Sequence, residues 1–306
     1  MVVQSLRRAS RIYKQEGIVP LIRGFKRFVR ARSPAVVSNL KLRLRLFGNN
    51  KNVDEMKVNG SRMKIKTDQA GIHRDLLVSG IREPASTKAF ESLLQQFSQS
   101  HDSEIFIFDI GANIGYYVLL EGSILKGRGQ ILAIEPEPTN IDDLRENISI
   151  NGFENVDILQ QAVGSERGTA TLKISKKGNL HQIISESAPG EQTATVDMTS
   201  VDHLVSKYQL SDDHPIVVRI DVEGYEGEVI EGMKNLLESS RPLLVFIEIH
   251  SNKINQQEEE TIISSLSRNG LELKFVSYDG GNTGHSNFEY DDIVQEFTNK
   301  HIIAVR

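Results

Sequence analysis

The sequence predicts an α/β fold: a doubly wound, mostly parallel sheet with helices on both faces. Five short and almost wholly apolar runs are typical of strands that are buried on both faces, as in a parallel sheet. Amphipathic segments separate most of these runs, and such alternation predicts right-handed crossovers between strands. The first apolar run also ends in a glycine-rich turn that leads directly into a helix, which predicts a ligand site at the carboxyl end of that strand.

The predicted elements follow one another from residue 105 to the end of the chain. Strands are predicted at residues 105–109, 130–135, 156–159, 216–221, 243–248, 272–277 and 302–306. Helices are predicted at residues 116–125, 139–150, 200–208, 226–239 and 256–268. Between the third and fourth strands, residues 169–174 and 192–196 have the pattern of paired strands around a polar loop. We therefore expect a β insertion there, over the edge of the sheet near the ligand.

The preceding part of the chain divides into two predicted regions. Residues 1–45 hold twelve Lys or Arg against one acid, Glu16, in a chain whose net charge is −5. Apolar residues lie between these charges at helical spacing, which predicts a basic amphipathic helical extension. Residues 46–100 are predicted to form a cap, made of a hairpin or two short strands and a lead-in helix. Residues 101–306 then form the α/β domain.

The basic extension has two interpretations. One is a peripheral contact with a membrane, in which the apolar residues enter the headgroup region and Lys and Arg bind anionic lipid. The other is a helix that packs on the acidic remainder of the protein or on a second subunit.

The composition excludes several kinds of protein. The chain has no cysteine, so it has no disulfide, no thiolate zinc site and no cysteine nucleophile. The negative net charge argues against a dedicated nucleic-acid partner. No apolar stretch is long enough to span a bilayer, and the basic amino terminus lacks the apolar core of a secretory signal. We therefore expect a cytoplasmic enzyme, peripheral at the inner membrane surface if the extension binds lipid.

The glycine-rich turn carries the prediction of a cofactor. Asp109 ends the first strand, and Gly111 and Gly115 allow the backbone of the turn to approach a ligand closely. The helix that follows offers free N–H groups to a carboxylate. Glu135 ends the second strand, where an acid can accept hydrogen bonds from both hydroxyls of a ribose. The turn and the acid together predict a nucleoside cofactor.

Two classes of cofactor compete for this site. A dinucleotide needs a G-x-G-x-x-G turn beside its pyrophosphate, and here Asn113 stands where the second glycine would be. S-adenosylmethionine has no phosphate, and its ammonium and sulfonium tolerate a nearby carboxylate such as that of Asp109. The spacing therefore favours S-adenosylmethionine. The alternatives are an NAD(P)-dependent oxidoreductase and a non-catalytic binding protein on a methyltransferase-like fold.

Several motifs, taken together, resemble the FkbM-type methyltransferase family. They are REP (82–84), DIGANIGYY (109–117), AIEPEP (133–138), QAVG (161–164), RIDVEGYEGEVIEGM (219–233) and LVFIEIH (244–250). They occur in the family's order and spacing, from about residue 80 to the end of the chain. The resemblance implies a Rossmann-like class I methyltransferase fold with a seven-stranded sheet. It also implies transfer of a methyl group to a hydroxyl of a sugar, glycan, glycolipid-type or natural-product acceptor.

The resemblance further implies a set of cofactor-binding residues. The turn would line the methionine end of the cofactor, the acid after the second strand would hold the ribose, and a glutamine and an alanine would lie beside the adenine. In chain order these residues are Asp109, Gly111, Asn113, Gly115, Glu135, Gln161 and Ala162.

The candidate catalytic residues follow the fourth and fifth strands. Methyl transfer from a sulfonium is an in-line displacement that depends on positioning, and a hydroxyl acceptor also benefits from a base. Asp221 and Glu223 follow the fourth strand, and Glu248 and His250 follow the fifth. Histidine titrates in the range that suits a base at neutral pH. His181, in the polar loop of the insertion, is a further candidate that would reach the site from above.

Acidic residues in the same region raise the question of a metal ion. Asp221, Glu223 and Glu248 offer the oxygen ligands that magnesium and calcium prefer. No Asp-Asp or Asp-Asn pair follows the fourth strand, so we expect a reaction without a metal. Glu226 and Glu228 lie on the next helix, and we expect them on its solvated face.

Overall fold

The computed structural model describes residues 55–66, 71–175, 181–184, 188–278, 283–286, 289–290, 293 and 299–306. The strands in these ranges are β1 (Glu55–Val58), β2 (Ser61–Lys64), β3 (Ile105–Ile110), β4 (Gly129–Ile134), β5 (Val156–Leu159), β6 (Ala162–Val163), β7 (Gly168–Lys173), β8 (Gln182–Ile184), β9 (Thr193–Thr199), β10 (Ile216–Ile220), β11 (Leu243–Ile249), β12 (Glu272–Tyr278), β13 (Thr283–His285) and β14 (Lys300–Val305). The helices are α1 (Ile72–Ser79), α2 (Pro84–Gln99), α3 (Tyr116–Leu125), α4 (Pro138–Asn151), α5 (Val201–Lys207), α6 (Glu226–Glu231), α7 (Lys234–Glu238) and α8 (Gln256–Arg268). The predicted basic extension, residues 1–45, lies outside the described residues.

The central sheet has the strand order β13-β12-β14-β11-β10-β3-β4-β5. Strands β5, β4, β3, β10 and β11 are parallel, and β14, β12 and β13 add antiparallel partners at one side. The predicted α/β class and mostly parallel sheet are confirmed. The order runs from β3 to β5 in one direction and from β10 onward in the other, so the switch point lies between β3 and β10. Ligands bind at such a point, outside the carboxyl ends of the strands.

Three of the apolar runs are buried at every position, whereas the edge strand β5 is only partly buried. Each residue of β3, β10 and β11 is buried, since helices cover both faces of the sheet. The sheet has eight strands rather than the seven predicted. The additional strand, β13, has the sequence Thr-Gly-His, and this triplet carries no apolar alternation by which it could be predicted.

The predicted helix over residues 226–239 is wrong in one respect, because the structure has two short helices there. Gly232 separates α6 from α7, and a Cβ at this glycine would lie 2.0 Å from the carbonyl oxygen of Gly164. The chain therefore approaches the β insertion too closely for a side chain. Asp202, in α5, then accepts hydrogen bonds from the backbone N–H groups of Asn235 and Leu236, which gives α7 its own amino-terminal partner.

The predicted β insertion is a separate four-stranded sheet with the order β6-β9-β7-β8. Strands β7 and β9 pair along their length, and β8 pairs with β7. The Nε2 group of Gln182, in β8, donates a hydrogen bond to the carbonyl oxygen of Glu223 at 2.9 Å. The insertion is thus joined to the chain directly beyond the carboxyl end of β10.

The hairpin of β1 and β2 packs beside α3 and α4. The backbone N–H of Lys64 donates to Asn147 at 2.7 Å, and Ser61 Oγ donates to the carbonyl oxygen of Leu119 at 3.4 Å. Residues Asp54–Arg306 form one compact unit that contains the hairpin, the lead-in helix α2 and the sheet. In the described part of the chain, no helix combines the length and the apolar character needed to cross a bilayer.

Candidate active site

The turn after β3 lies directly against the end of β10. Gly111 has φ +79°, and a Cβ there would be 1.9 Å from the carbonyl oxygen of Asp221. Asn113 also has a left-handed backbone, with φ +51°, and its Oδ1 accepts a hydrogen bond from the N–H of Ile114. Asparagine tolerates this conformation because its short polar side chain bonds locally. Gly115 precedes α3 with φ +91°.

Glu135, the first residue after β4, is held by this turn. Its Oε2 accepts a hydrogen bond from the backbone N–H of Asn113 at 2.9 Å. Its Oε1 accepts from the N–H of Glu137 at 3.0 Å and from Asn140 Nδ2 at 3.3 Å. Burial raises the pKa of Glu135 to about 7, although these hydrogen bonds lower it. The carboxyl group is therefore fixed in orientation and close to its titration point at neutral pH.

An open cleft lies above the switch point, with Glu135 and the turn on its wall. Most of the predicted site residues line this cleft. They are Gly111, Asn113, Glu135, Gln161, Ala162, His181, Asp221 and Glu223. The structure does not place four other candidates on the wall of the cleft: Asp109, Gly115, Glu248 and His250.

Asp109 lies behind the cleft in a buried ion pair. Its Oδ1 accepts a hydrogen bond from Arg219 Nη1 at 2.8 Å, and its side chain is completely buried. Arg219 also donates to Asp221 Oδ2 at 2.8 Å and lies 4.1 Å above the ring of Tyr117. Burial and the charge of Glu248 raise the pKa of Asp221 to about 6, against the lowering effect of Arg219. Arg219, rather than Asp109, faces the cleft.

His250 is buried beneath the cleft among carboxylates. Its Nδ1 donates to Glu226 Oε1 at 2.7 Å, and its Nε2 lies 3.4 Å from Glu223 Oε2 and 3.5 Å from Glu248 Oε1. Burial by itself lowers the pKa of His250. The hydrogen bond to Glu226 and the charge of Glu248 raise the pKa by more than burial lowers it, to about 9. The imidazole is consequently protonated at neutral pH, which does not suit the predicted role of a base.

The expected solvated position of Glu226 is wrong. Its side chain is fully buried, because it holds both His250 and the backbone N–H of Gly224 at the start of α6. Glu228, two residues further on, is exposed as expected. The helix is too short for its hydrophobic pattern to predict which of these two acids faces inward.

Glu248 belongs to a second buried cluster that lies apart from the cleft wall. Its Oε2 is 3.2 Å from His301 Nε2, and His301 is in turn 3.3 Å from Glu83 Oε2. Burial lowers the pKa of His301, but the charges of Glu248 and Glu83 raise it to about 10. This cluster ties α2 to β14 and β11 below the site.

Two groups of side chains have the spacing of metal ligands: Asp221 with Glu223 and His250, and Glu83 with Glu248 and His301. Lys253 Nζ already forms an ion pair with Glu223, and a cation at the first group would have to displace it. The expectation of a reaction without a metal stays a prediction.

Comparison with known proteins assigns the chain to a family. It matches the family described as the methyltransferase FkbM domain over residues 109–299, which is more than half of the chain. The chain belongs to the FkbM methyltransferase family. The region matched is an S-adenosylmethionine-dependent methyltransferase domain, so the resemblance and the cofactor predicted from the sequence are confirmed. The oxidoreductase alternative has no support.

The sequence identity to individual relatives is low. The chain is 28% identical over 163 residues to the hexuronic acid methyltransferase AglP of Haloferax volcanii, an alignment that covers 53% of this chain and 62% of the relative. The FkbM methyltransferase of Methylobacillus flagellatus has a TM-score of 0.37 at 14% identity, over 76% of this chain and 56% of the other. The METTL16 methyltransferase domain has a TM-score of 0.44 at 12% identity, over 89% and 80%.

The residues of the cleft fit S-adenosylmethionine. Oε2 of Glu135 receives one hydrogen bond from the protein, and a carboxylate oxygen can accept two, so it can accept one more from a ribose hydroxyl. Gln161 also lines the cleft, and its predicted contact with the adenine stays a prediction. When bound, the cofactor supplies an electrophilic methyl group on its sulfonium.

Other residues of the cleft were not among the predicted site residues. Arg82, Tyr116, Arg219 and Tyr225 all line the cleft. A signal for Arg219 was present, because an arginine inside an apolar strand is stable only with a buried partner. Arg82 lies in the REP motif, which carries part of the family resemblance but does not by itself predict a contact with a ligand.

Proposed function

We propose that this chain transfers the methyl group of S-adenosylmethionine to a hydroxyl of a sugar or sugar-containing acceptor. The observation that carries the proposal is the placement of Glu135 and Glu223 on the wall of one cleft at the switch point of the sheet. The first suits the ribose of the cofactor, and the second suits the acceptor. The relative AglP, whose substrate is a hexuronic acid by its name, supports a sugar as the acceptor class.

Glu223 is the residue we assign to the acceptor hydroxyl. It lines the cleft with a left-handed backbone, φ +57°, and non-glycine residues in this conformation concentrate at functional sites. Gln182 Nε2 bonds its carbonyl oxygen, and Lys253 and His250 lie beside its carboxylate. The contacts with Lys253 and His250 orient the carboxylate. It would accept the hydroxyl proton as the acceptor oxygen bonds to the methyl carbon and the bond from that carbon to the sulfur of the cofactor breaks.

The rest of the rate acceleration comes from the alignment of the acceptor with the cofactor. An in-line displacement needs the acceptor oxygen opposite the sulfur of the cofactor, and alignment alone lowers the barrier by several kcal/mol, at most about 11. His181, Ile183 and Tyr225 line the cleft beside Glu223 and belong to the insertion and to the segment after β10. We assign the orientation of the acceptor ring to this wall.

The test is transfer of a radioactive methyl group from labelled S-adenosylmethionine to a panel of pyranosides, uronic acids and non-sugar alcohols. We expect transfer to sugars only, and loss of about 10²- to 10⁴-fold of the rate in Glu223→Gln, the usual contribution of a general base. Glu228→Gln is the matched control, since Glu228 is an exposed acid on the next helix, and should retain the rate. Excess chelator should leave the rate unchanged.

Two outcomes would contradict the proposal. If the protein binds S-adenosylhomocysteine but methylates no sugar in the panel, the acceptor class is wrong. If Glu223→Gln and Glu228→Gln have equal rates, Glu223 is not the base.

A further inference from the structure

Opposite charges lie side by side on one wall of the cleft. Arg82 Nη2 is 3.8 Å from Asp221 Oδ2, and both residues line the cleft beside Gly111. This separation is longer than the 2.7–2.9 Å of a direct charge-assisted hydrogen bond. The guanidinium and the carboxylate are therefore close together but do not form a direct hydrogen bond.

Arg82 is held in place by its backbone and by Glu83. Its N–H donates to the hydroxyl of Tyr116 at 3.1 Å, and its carbonyl oxygen accepts from Thr87 Oγ1 at 2.7 Å. Its Nε lies 2.6 Å from Glu83 Oε1. Tyr116 is the first residue of α3, so these contacts fix Arg82 beside the glycine turn at the methionine end of the predicted site.

Asp221 is fixed from the other side. Arg219 Nη2 donates to its Oδ2 at 2.8 Å, and Asp109 holds the same guanidinium from below. Charges therefore alternate in the order Asp109, Arg219, Asp221, Arg82 and Glu83, and the middle three of these residues line the cleft. An alternating row of this kind presents neighbouring opposite charges to a ligand without leaving any of them uncompensated in a buried setting.

The methionyl end of the cofactor has the complementary arrangement. It carries an α-carboxylate and an α-ammonium on the same carbon atom, so its two charges are as close together as those of the wall. We propose that Arg82 binds the α-carboxylate and that Asp221 accepts a hydrogen bond from the α-ammonium. This inference rests on the cofactor site of the proposed function, and it gives the REP motif a role in binding the cofactor.

Two ligands separate this role from a structural one. S-adenosylhomocysteine has the α-amino acid group, whereas 5′-methylthioadenosine keeps the adenosine and the sulfur but lacks both charges. Calorimetric titration of the full chain with each ligand therefore isolates the contacts made to the zwitterion. We expect Arg82→Gln and Asp221→Asn each to weaken binding of S-adenosylhomocysteine by about 10- to 100-fold, the loss of a charged hydrogen bond, and to leave binding of 5′-methylthioadenosine unchanged.

Three further variants complete the experiment. Glu135→Gln should weaken both ligands, because both contain the ribose. Arg145→Gln removes an exposed arginine that does not line the cleft, and it should change neither affinity. Arg82→Lys keeps the charge but loses the planar fork of donors, so we expect an intermediate loss for S-adenosylhomocysteine; it also serves if Arg82→Gln does not fold.

The outcomes distinguish this inference from the proposed function. Equal weakening of both ligands by Arg82→Gln, or no effect on either, would overturn the role of Arg82. An Asp221→Asn variant that binds S-adenosylhomocysteine normally would overturn the role of Asp221. If the wild-type chain binds neither ligand, the proposed function itself is wrong.

Discussion

Glu135 is a buried carboxyl group whose protonation state should control the affinity for the cofactor. Burial raises its pKa to about 7, and hydrogen bonds from ribose hydroxyls favour the ionised form. Below pH 7 the carboxyl group of Glu135 is mostly protonated in the free protein, and this proton must be released when the ligand binds. The affinity for S-adenosylhomocysteine should therefore fall as the pH falls through about 7, by at most about tenfold per pH unit.

The matched variant for this prediction is Glu135→Gln, which keeps the shape of the side chain and does not titrate. It should bind S-adenosylhomocysteine more weakly above pH 7, by roughly 1.5–3 kcal/mol, as expected for lost charged hydrogen bonds. Calorimetry across this pH range checks both statements. The same pH dependence in variant and wild type would show that a different group titrates.

Arg219 should matter most for stability among the residues of the site. It is 5% exposed, and it pairs with Asp109, whose side chain is fully buried. Glu121 lies near this pair, and burial together with the charge of Asp109 raises the pKa of Glu121 well above its usual range. Arg219→Leu would leave the carboxylate of Asp109 without a counter-charge, at a cost of about 3–5 kcal/mol.

Urea unfolding at neutral pH measures the effect of Arg219→Leu. The control is Arg145→Leu, since Arg145 and Asp142 form an exposed pair and its loss should change the free energy of unfolding by less than about 0.5 kcal/mol. Similar losses in the two variants would mean that the buried network contributes no more than a surface pair.

The sequence predicted which segments meet at the site better than it predicted which atoms face the ligand. The turn and the acids after β4 and β10 were found because the carboxyl ends of neighbouring strands lie at one edge of the sheet. Side-chain direction depends on partners that are distant along the chain. Asp109 bonds to Arg219, 110 residues away, and Glu226 bonds to His250, the residue directly after β11. No local pattern contains this information.

At the scale of an element, the turn between β3 and α3 depends on close packing against β10. A Cβ at Gly111 would overlap the carbonyl oxygen of Asp221, whereas Gly127, with a similar φ of +81°, has no atom within 4 Å of such a Cβ. Gly127→Ala should therefore cost only the left-handed strain, about 1–2 kcal/mol. Gly111→Ala should cost more and should also abolish binding of S-adenosylhomocysteine, because the turn must move away from β10.

Unfolding and calorimetry on these two glycine variants separate backbone strain from close approach. If Gly111→Ala destabilises no more than Gly127→Ala and still binds the ligand, the contact between the turn and β10 does not shape the site.

Elements that are set by local pattern were predicted closely, and those set by tertiary contact were not. The helices at residues 116–125 and 256–268 have the predicted bounds, because their patterns begin and end within the chain segment itself. The break falls at Gly232, where the carbonyl of Gly164, almost seventy residues earlier, leaves no room for a side chain. A periodic apolar pattern continues through this break, so sequence alone predicts one helix.

For the whole molecule, the central question is what residues 1–45 add to a compact unit that contains the site. The extension holds twelve Lys or Arg against one acid, while the complete chain has a net charge of −5. Each basic residue near an anionic surface contributes about 1 kcal/mol of attraction at most, and salt screens it. We expect the full chain to sediment with phosphatidylserine vesicles at low salt, and less so at high salt or with phosphatidylcholine alone.

A chain without residues 1–45 should stay in the supernatant under all of these conditions. It should still bind S-adenosylhomocysteine, because the residues of the cleft all lie within the unit Asp54–Arg306, and this binding shows that the shortened chain is folded. If deletion leaves vesicle binding unchanged, the extension is not a membrane contact. A change from dimer to monomer after deletion would instead assign the extension to a second subunit, and a fall in the free energy of unfolding would assign it to the acidic surface of the same chain.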